Sequence, residues 1–130
     1  RHWLAFLYFC RGSMLLYGGT EFAPQHQVGL FDAEDNFGDK RADLQGFLRR
    51  CKDMKTSLPL DGAVWYEVSG GTVIGHYKSP AGEVTGVFDL SGEGEATVVE
   101  RADGVYENQL GGDLTVTDGH VRTDGDPLVF

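Results

Sequence analysis

From residue 63 onward, apolar and polar positions alternate with a period of two. Ala63 to Val68, Thr72 to Lys78, Val84 to Asp89, Ala96 to Arg101, Leu114 to Thr117 and His120 to Thr123 therefore read as short strands. Between them lie Ser69-Gly70-Gly71, Pro80-Ala81-Gly82, Gly92-Glu93-Gly94, Asp103-Gly104, Gly111-Gly112 and Asp118-Gly119. Asp-Gly between alternating segments is a strong hairpin signal, because both residues tolerate the positive φ that tight turns need. Short strands at this spacing predict an antiparallel β-sandwich or barrel. A four-residue loop over Ser79 to Gly82 sets one register: Lys78 opposite Glu83, Tyr77 opposite Val84, Gly75 opposite Gly86. Two opposed glycines leave a bare strip of backbone, and an aromatic ring, Tyr66 or Tyr106, is expected to cover it.

Upstream the pattern changes. Arg1 to Cys10 is apolar nearly all round, as expected of a helix packed inside a large fold. Met14 to Tyr17 is a continuous apolar run closed by Gly18-Gly19, which fits a strand buried on both faces of a parallel sheet. Nothing nearby could pair with it in parallel, so its neighbours must come from elsewhere. The chain starts without Met inside an apolar segment and reads as a piece of something larger. Leu44, Phe47, Leu48, Cys51 and Met54 follow helical spacing; Asp43 stands near the helix start, and Arg49, Arg50, Lys52 and Lys55 gather toward its end, complementing the helix dipole. Leu58-Pro59 stops that helix. A boundary is expected near Thr56 to Asp61, dividing residues 1–57 from an all-β unit at 58–130. In a (β/α)8 barrel a long loop after a strand lies on the active-site face, so Gly18 to Phe37 is a candidate rim segment.

Five Tyr, eight Phe and two Trp among 130 residues suffice for a globular core. No apolar run approaches the roughly 20 residues that span a bilayer, and no membrane partner or compartment is implied. Charge is unevenly placed: residues 1–81 carry nine bases and nine acids, whereas 82–130 carry two bases against eleven acids, the whole net charge of −9. That surface repels phosphate backbones and argues against a nucleic-acid partner; its plainer role is solubility and protection of strand edges.

Cys10 and Cys51 fall on apolar helical faces and read as buried free thiols. His2, His26, His76 and His120 show no ligand spacing. Asp32 to Asn36 with Asp43 superficially resembles a calcium loop, but Phe37 stands where the EF-hand needs Gly, so a solvated loop is the reading. No metal and no cofactor is expected. Gly18-Gly19 lacks the Lys and following helix of a phosphate loop.

The run Gly12 to Glu21 resembles the eighth-strand motif of α-amylase-type glycoside hydrolases, Gly-x-Pro-x-Ile-Tyr-Tyr-Gly-x-Glu, at Gly12, Leu16, Tyr17, Gly19 and Glu21. Met14 replaces the usual Pro and Gly18 the second Tyr. Leu30-Phe31-Asp32 with Asp35 resembles the Leu-Phe-x-x-Asp segment of one bacterial branch. Leu44 to Lys55 is similar to the helix that closes the barrel. Gly86 to Ser91 and Asp103 to Asn108 resemble that branch's C-terminal sandwich. The resemblance implies retaining enzymes that cleave or transfer α-glucosidic linkages, with an Asp nucleophile, a Glu acid/base and a stabilising Asp on the fourth, fifth and seventh strands. Retention needs two carboxylates roughly 5–5.5 Å apart. On that reading this chain begins after the seventh strand, lacks all three carboxylates and is not an enzyme by itself, although its parent is.

The expected fold is thus mainly β, an antiparallel sandwich preceded by a helix-strand-helix remnant of a (β/α)8 barrel. Its partners would be the rest of the barrel and, in the intact enzyme, an α-glucan or maltooligosaccharide. The apolar segment 1–20 is expected either to self-associate or to pack in a non-barrel arrangement. Glu21 and His26 are candidate rim residues, Glu21 with the alternative role of anchoring its loop by a hydrogen bond. The rival reading is a stand-alone carbohydrate-binding or adhesion sandwich at 58–130, with Trp65 as the candidate sugar platform. For Trp65 the competing expectation is an interdomain contact with Leu48 or Cys51.

Overall fold

The computed structural model describes residues 1–25, 40–59, 62–94 and 96–130. Its period-two segments form strands β1 (Ala63–Ser69), β2 (Thr72–Ser79), β3 (Gly82–Asp89), β4 (Thr97–Val98), β5 (Gly104–Glu107), β6 (Asp113–Val116), β7 (His120–Val121) and β8 (Leu128–Val129). Helices α1 (His2–Phe9) and α2 (Gln45–Ser57) precede them, with a single 3-10 turn at Thr20–Phe22 between. The strands assemble as an antiparallel sheet in the order β1-β2-β3-β8, plus the pairs β4-β7 and β5-β6. The mainly β, antiparallel expectation is met.

The main sheet is covered on both faces. Val73, Tyr77, Phe88 and Val129 point to one side and join Ala5, Tyr8 and Phe9 of α1 with Phe47, Leu48, Cys51 and Met54 of α2. Ile74, Val87, Leu128 and Phe130 point to the other and meet Val99, Leu114, Val116 and Val121 from the small strand pairs. The first core therefore runs across the sequence boundary at 57–58.

The β2–β3 hairpin has the register read from the sequence, with Gly75 opposite Gly86, Tyr77 opposite Val84 and Lys78 opposite Glu83. A ring does lie over the glycines, but it is Phe9 of α1. A Cβ built on Gly75 would fall 2.5 Å from Phe9 Cε1, and one on Gly86 would fall 2.9 Å from Phe9 Cε2 and 2.7 Å from the Phe88 ring. Tyr66 reaches only Gly75, with its Cδ1 3.1 Å from such a Cβ. Tyr106 sits on the other face against Phe130, ring centroids 5.2 Å apart. The expectation missed Phe9 because α1 had been placed in a different domain from the hairpin it covers.

Three elements depart from the sequence reading. Ala96 to Arg101 contracts to the two residues of β4, while β5 and β8 form where no strand was expected. Met14 to Tyr17 belongs to no ladder among the described residues, and Leu15 is 90% exposed there. A strand is defined by its neighbour: without one, the N–H and C=O groups of this segment have no sheet to join.

The Phe9 seat yields a test. Gly75→Ala and Gly86→Ala each force a methyl into an occupied ring contact, and each is expected to lower stability by about 1–3 kcal/mol, the usual cost of overpacking. Urea unfolding followed by circular dichroism measures it. Unchanged midpoints would show that the ring is not seated on the strip.

Candidate functional site

The candidate site is assembled first from how α1 is held. Its sequence offers no acidic first turn and no basic last turn, so its end groups must be satisfied by other elements. Lys55 Nζ of α2 donates to Tyr8 O (3.0 Å) and Cys10 O (2.7 Å). Tyr77 Oη donates to Phe9 O between them (2.8 Å). At the other end His2 Nδ1 accepts the Asp89 N–H (3.1 Å), and Arg1 pairs with Asp126 (2.7 Å). Arg11 donates to the Gly62 carbonyl.

Anchored this way, α1 buries one side and presents the other. Trp3 (60% exposed) and Leu7 remain open, and Leu15 and Tyr17 follow on the segment after the helix. Trp3 meets Phe6 edge-on at 6.5 Å, and Phe6 meets Tyr66 at 6.0 Å. Large apolar side chains left exposed in numbers, as in α1 and the segment after it, mark a surface suited to being covered by another body.

Glu21 lies in the 3-10 turn, where its Oε2 accepts the Gly19 N–H (3.0 Å) and its carbonyl accepts the Leu44 N–H (2.7 Å). These bonds tie the turn to itself and to the start of α2, in line with the anchoring role. His26, Leu30-Phe31-Asp32 with Asp35, and the calcium-like run Asp32 to Asn36 lie outside the described residues. Among the described residues no three His, Cys, Asp or Glu side chains are grouped so as to hold a metal. Burial pushes the Cys51 thiol up to about 11, so it stays protonated and unreactive at neutral pH.

Trp65 departs from its expected contact. It pairs across the ladder with His76, on the sheet face turned away from α1 and α2, and stacks on that imidazole at 4.8 Å and 12°. It therefore does not pack on Leu48 or Cys51. His76, which the sequence reading named only as a histidine without ligand spacing, is only 2% exposed. Its Nδ1 has no hydrogen-bond partner, and its Nε2 stands 3.8 Å from Glu67 Oε1. The signal was available: a two-residue Gly70-Gly71 turn pairs Ser69 with Thr72, and the same register carries Trp65 to His76.

Two further carboxylates hold turns. Buried Asp89 accepts from Ser91 Oγ (2.7 Å) and from the N–H groups of Ser91, Gly92 and Gly94 (3.0, 2.8 and 2.7 Å). The Ser91 hydroxyl foremost, then the Gly94 N–H, hold its carboxyl down to about 2. Asp103 accepts from the N–H groups of Gly119 and Asp118, which lower its pKa as well. Asp103 spends its lone pairs on backbone and Asp89 on backbone and the Ser91 hydroxyl, a structural role in both cases.

Against known proteins, residues 66–130 match the family described as "Bacterial Alpha amylase C-terminal domain". An alpha-amylase from Lactobacillus plantarum superposes with a TM-score of 0.86 at 29% identity, over 99% of this chain and 32% of that one. A noncanonic maltogenic alpha-amylase, AmyB from Thermotoga neapolitana, superposes with a TM-score of 0.65 over 98% of this chain and 34% of that one; at 14% identity it speaks to the fold alone. No curated protein sequence matches significantly. The chain spans about a third of the length of each of these two structures.

The Asp89 knot predicts an acid limit. Its folded pKa lies below the ordinary 3.8, so its contribution is fully present above that value and drains away as pH falls toward about 2. Thermal melts between pH 5 and 2 are expected to show a fall in midpoint that Asp89→Asn makes shallower, while lowering the midpoint at pH 7. A variant with the wild-type acid profile would contradict this.

Proposed function

The chain belongs to the bacterial alpha-amylase C-terminal domain family, and from that we propose that it forms the C-terminal part of an α-amylase-like glycoside hydrolase acting on α-glucans or maltooligosaccharides. The observation that carries this is the open apolar face of α1 and Leu15 to Tyr17, set on an otherwise closed two-sided core. That face is where a catalytic (β/α)8 barrel would pack, with 1–57 as the barrel's last part and 58–130 as the sandwich. Trp3, Leu7, Leu15 and Tyr17 would each contribute on the order of 1.5–3 kcal/mol on full burial, enough to fix the two bodies together.

The chemistry in the parent belongs to carboxylates elsewhere. Double displacement needs a nucleophile and an acid/base facing one glycosidic bond. Among the described residues Asp89 and Asp103 are consumed by backbone bonds, and Glu21 by its own turn. The role of this chain is then to close and steady the barrel, with Glu21 and His26 at its rim. The rival reading, a free sugar-binding module at 58–130, is weakened by the core that α1 and α2 share with the sheet; a module cut at 58 would lose Phe9 from its hairpin.

Two outcomes are expected. Purified chain incubated with maltooligosaccharides should release no reducing sugar above blank; turnover that survives repurification and is lost in Glu21→Gln would overturn the reading. Light scattering should show self-association that Trp3→Asp with Leu15→Asp reverses without lowering the melting midpoint. A wild-type monomer at high concentration would count against a barrel-facing surface.

A further inference from the structure

The start of α1 is held to the sheet by an imidazole. His2 is the first residue of the helix and partly buried, and its Nδ1 accepts the Asp89 N–H at the end of β3 (3.1 Å). The same ring hydrogen-bonds to the Gly125 backbone in the turn before β8; that bond favours the charged ring, so its acceptor is the carbonyl. With Nδ1 accepting, the proton of the neutral ring sits on Nε2, the nitrogen left to donate. We propose that His2 is a pH-sensitive latch: the neutral imidazole clips the N-terminal end of α1 to the sheet, and protonation opens the clip.

Protonation is incompatible with that geometry. An imidazolium has two donors and no acceptor. Its Nδ1–H would face the Asp89 N–H, donor against donor, and the amide would lose its acceptor. The Asp89 carboxylate is not free to take the new proton in a hydrogen bond. Its oxygens already accept from Ser91 Oγ and from the N–H groups of Ser91, Gly92 and Gly94. Asp126 is engaged by Arg1 (2.7 Å). The charged ring must therefore leave its seat.

The charges around the ring divide. Asp89 from β3 and Asp126 from the turn before β8 favour the imidazolium, while the amino group of Arg1 opposes it. The positive end of the α1 dipole opposes it too. From α2, Arg50 lines the pocket that Arg1 and Asp126 also line, and adds a further positive charge. Burial outweighs the rest and carries the His2 pKa below its ordinary 6.5. The folded state thus prefers the neutral ring. The latch contributes in full well above pH 6.5 and loses its hold as pH falls from there through the folded pKa, a window that opens far above the value of about 2 at which Asp89 titrates. The far end of α1 keeps Lys55 and Tyr77, so protonation frees only the end carrying His2 and Trp3. The latch joins α1 to its own sheet and stands whether or not a catalytic barrel packs beyond.

NMR of the full chain tests this. Long-range nitrogen–proton correlations read the tautomer, and a titration from about pH 8 to 5 reads the ring. Expected are a bare Nδ1 at the alkaline end and a His2 ring that titrates below its ordinary value. Exchange of the Asp89 amide, corrected for its intrinsic pH dependence, should quicken about tenfold for each unit by which that pKa is depressed. His2→Asn separates the latch from mere packing, because its Oδ1 keeps an acceptor for the Asp89 N–H but binds no proton in this range. Its melting midpoint should fall less than that of the wild type between about pH 7.5 and 5.5, the other histidines being common to both. If the variant is less stable at every pH, the slope is still read, and the wild-type tautomer and titration decide independently. A protonated Nδ1 at the alkaline end, a His2 ring titrating at or above its ordinary value, or equal slopes in wild type and His2→Asn overturns the latch.

Discussion

Everything in this chain depends on one fit: the Phe9 ring seated on the bare backbone of Gly75 and Gly86. A helix that is apolar nearly all round cannot lie in water, and a sheet with ordinary side chains at both positions would hold it off. Two opposed glycines let α1 approach until ring meets backbone. Tyr77 and Phe88 then box the ring, with centroids 5.0 and 5.3 Å away. The Tyr77 hydroxyl on the Phe9 carbonyl fixes the depth of the helix, and Lys55 bonds the carbonyls on either side. Packing and end-capping are thus done by the same few residues, and α2 enters the core through that lysine as much as through its apolar stripe.

The opposite face obeys a different economy. Polar side chains sit inside it, and Arg101 ties several groups together: it donates to Thr85 Oγ1, to the Glu83 carbonyl and to the Phe130 carbonyl while lying over the Phe130 ring. Asn108 does similar work for the end of the sheet, accepting from Leu110 and Val129 and donating to the Pro127 carbonyl. Against that background His76 Nδ1 and Thr123 Oγ1 stand out among the described residues as buried polar atoms without a hydrogen-bond partner. The contrast between the faces also separates two kinds of surface, an apolar one suited to a protein body and an acidic, hydroxyl-lined one.

Much of this was legible in the sequence, and what was not has physical causes. Period-two alternation and the Pro80-Ala81-Gly82 turn placed β2 and β3 in correct register, because pleat and turn are local constraints. The α2 stripe, Phe47, Leu48, Cys51 and Met54, was equally local. The ring over the glycines was not local: Phe9 lies at the other end of the chain, and no pattern in residues 1–10 announces which strand they meet. Met14 to Tyr17 showed strand character without becoming a strand, since composition cannot supply a neighbour. β8 escaped notice because Leu128–Val129 follows Pro127 and pairs over only two residues. Trp65 was given the wrong contact because its face was assigned by distance along the chain to α2, whereas alternation from Tyr77, a helix-facing residue, puts its ladder partner His76 on the other side. Of the candidate site residues, Glu21 was read at the end of a strand and lies instead in a 3-10 turn, while His26 lies outside the described residues.

The separation between Phe9 and its seat has a consequence for how the molecule is made. Tyr77 reaches back 68 positions to the Phe9 carbonyl, and β3 follows Tyr77. On a ribosome, α1 is therefore synthesised long before the hairpin that shelters it. Until then Trp3, Phe6, Leu7 and Phe9 travel as a greasy nascent segment, and closing so wide a loop is slow relative to forming either helix. An apolar segment that waits unsheltered during translation is open to misassociation, so the interval between making α1 and making the hairpin is the stage at which this fold is most exposed to aggregation.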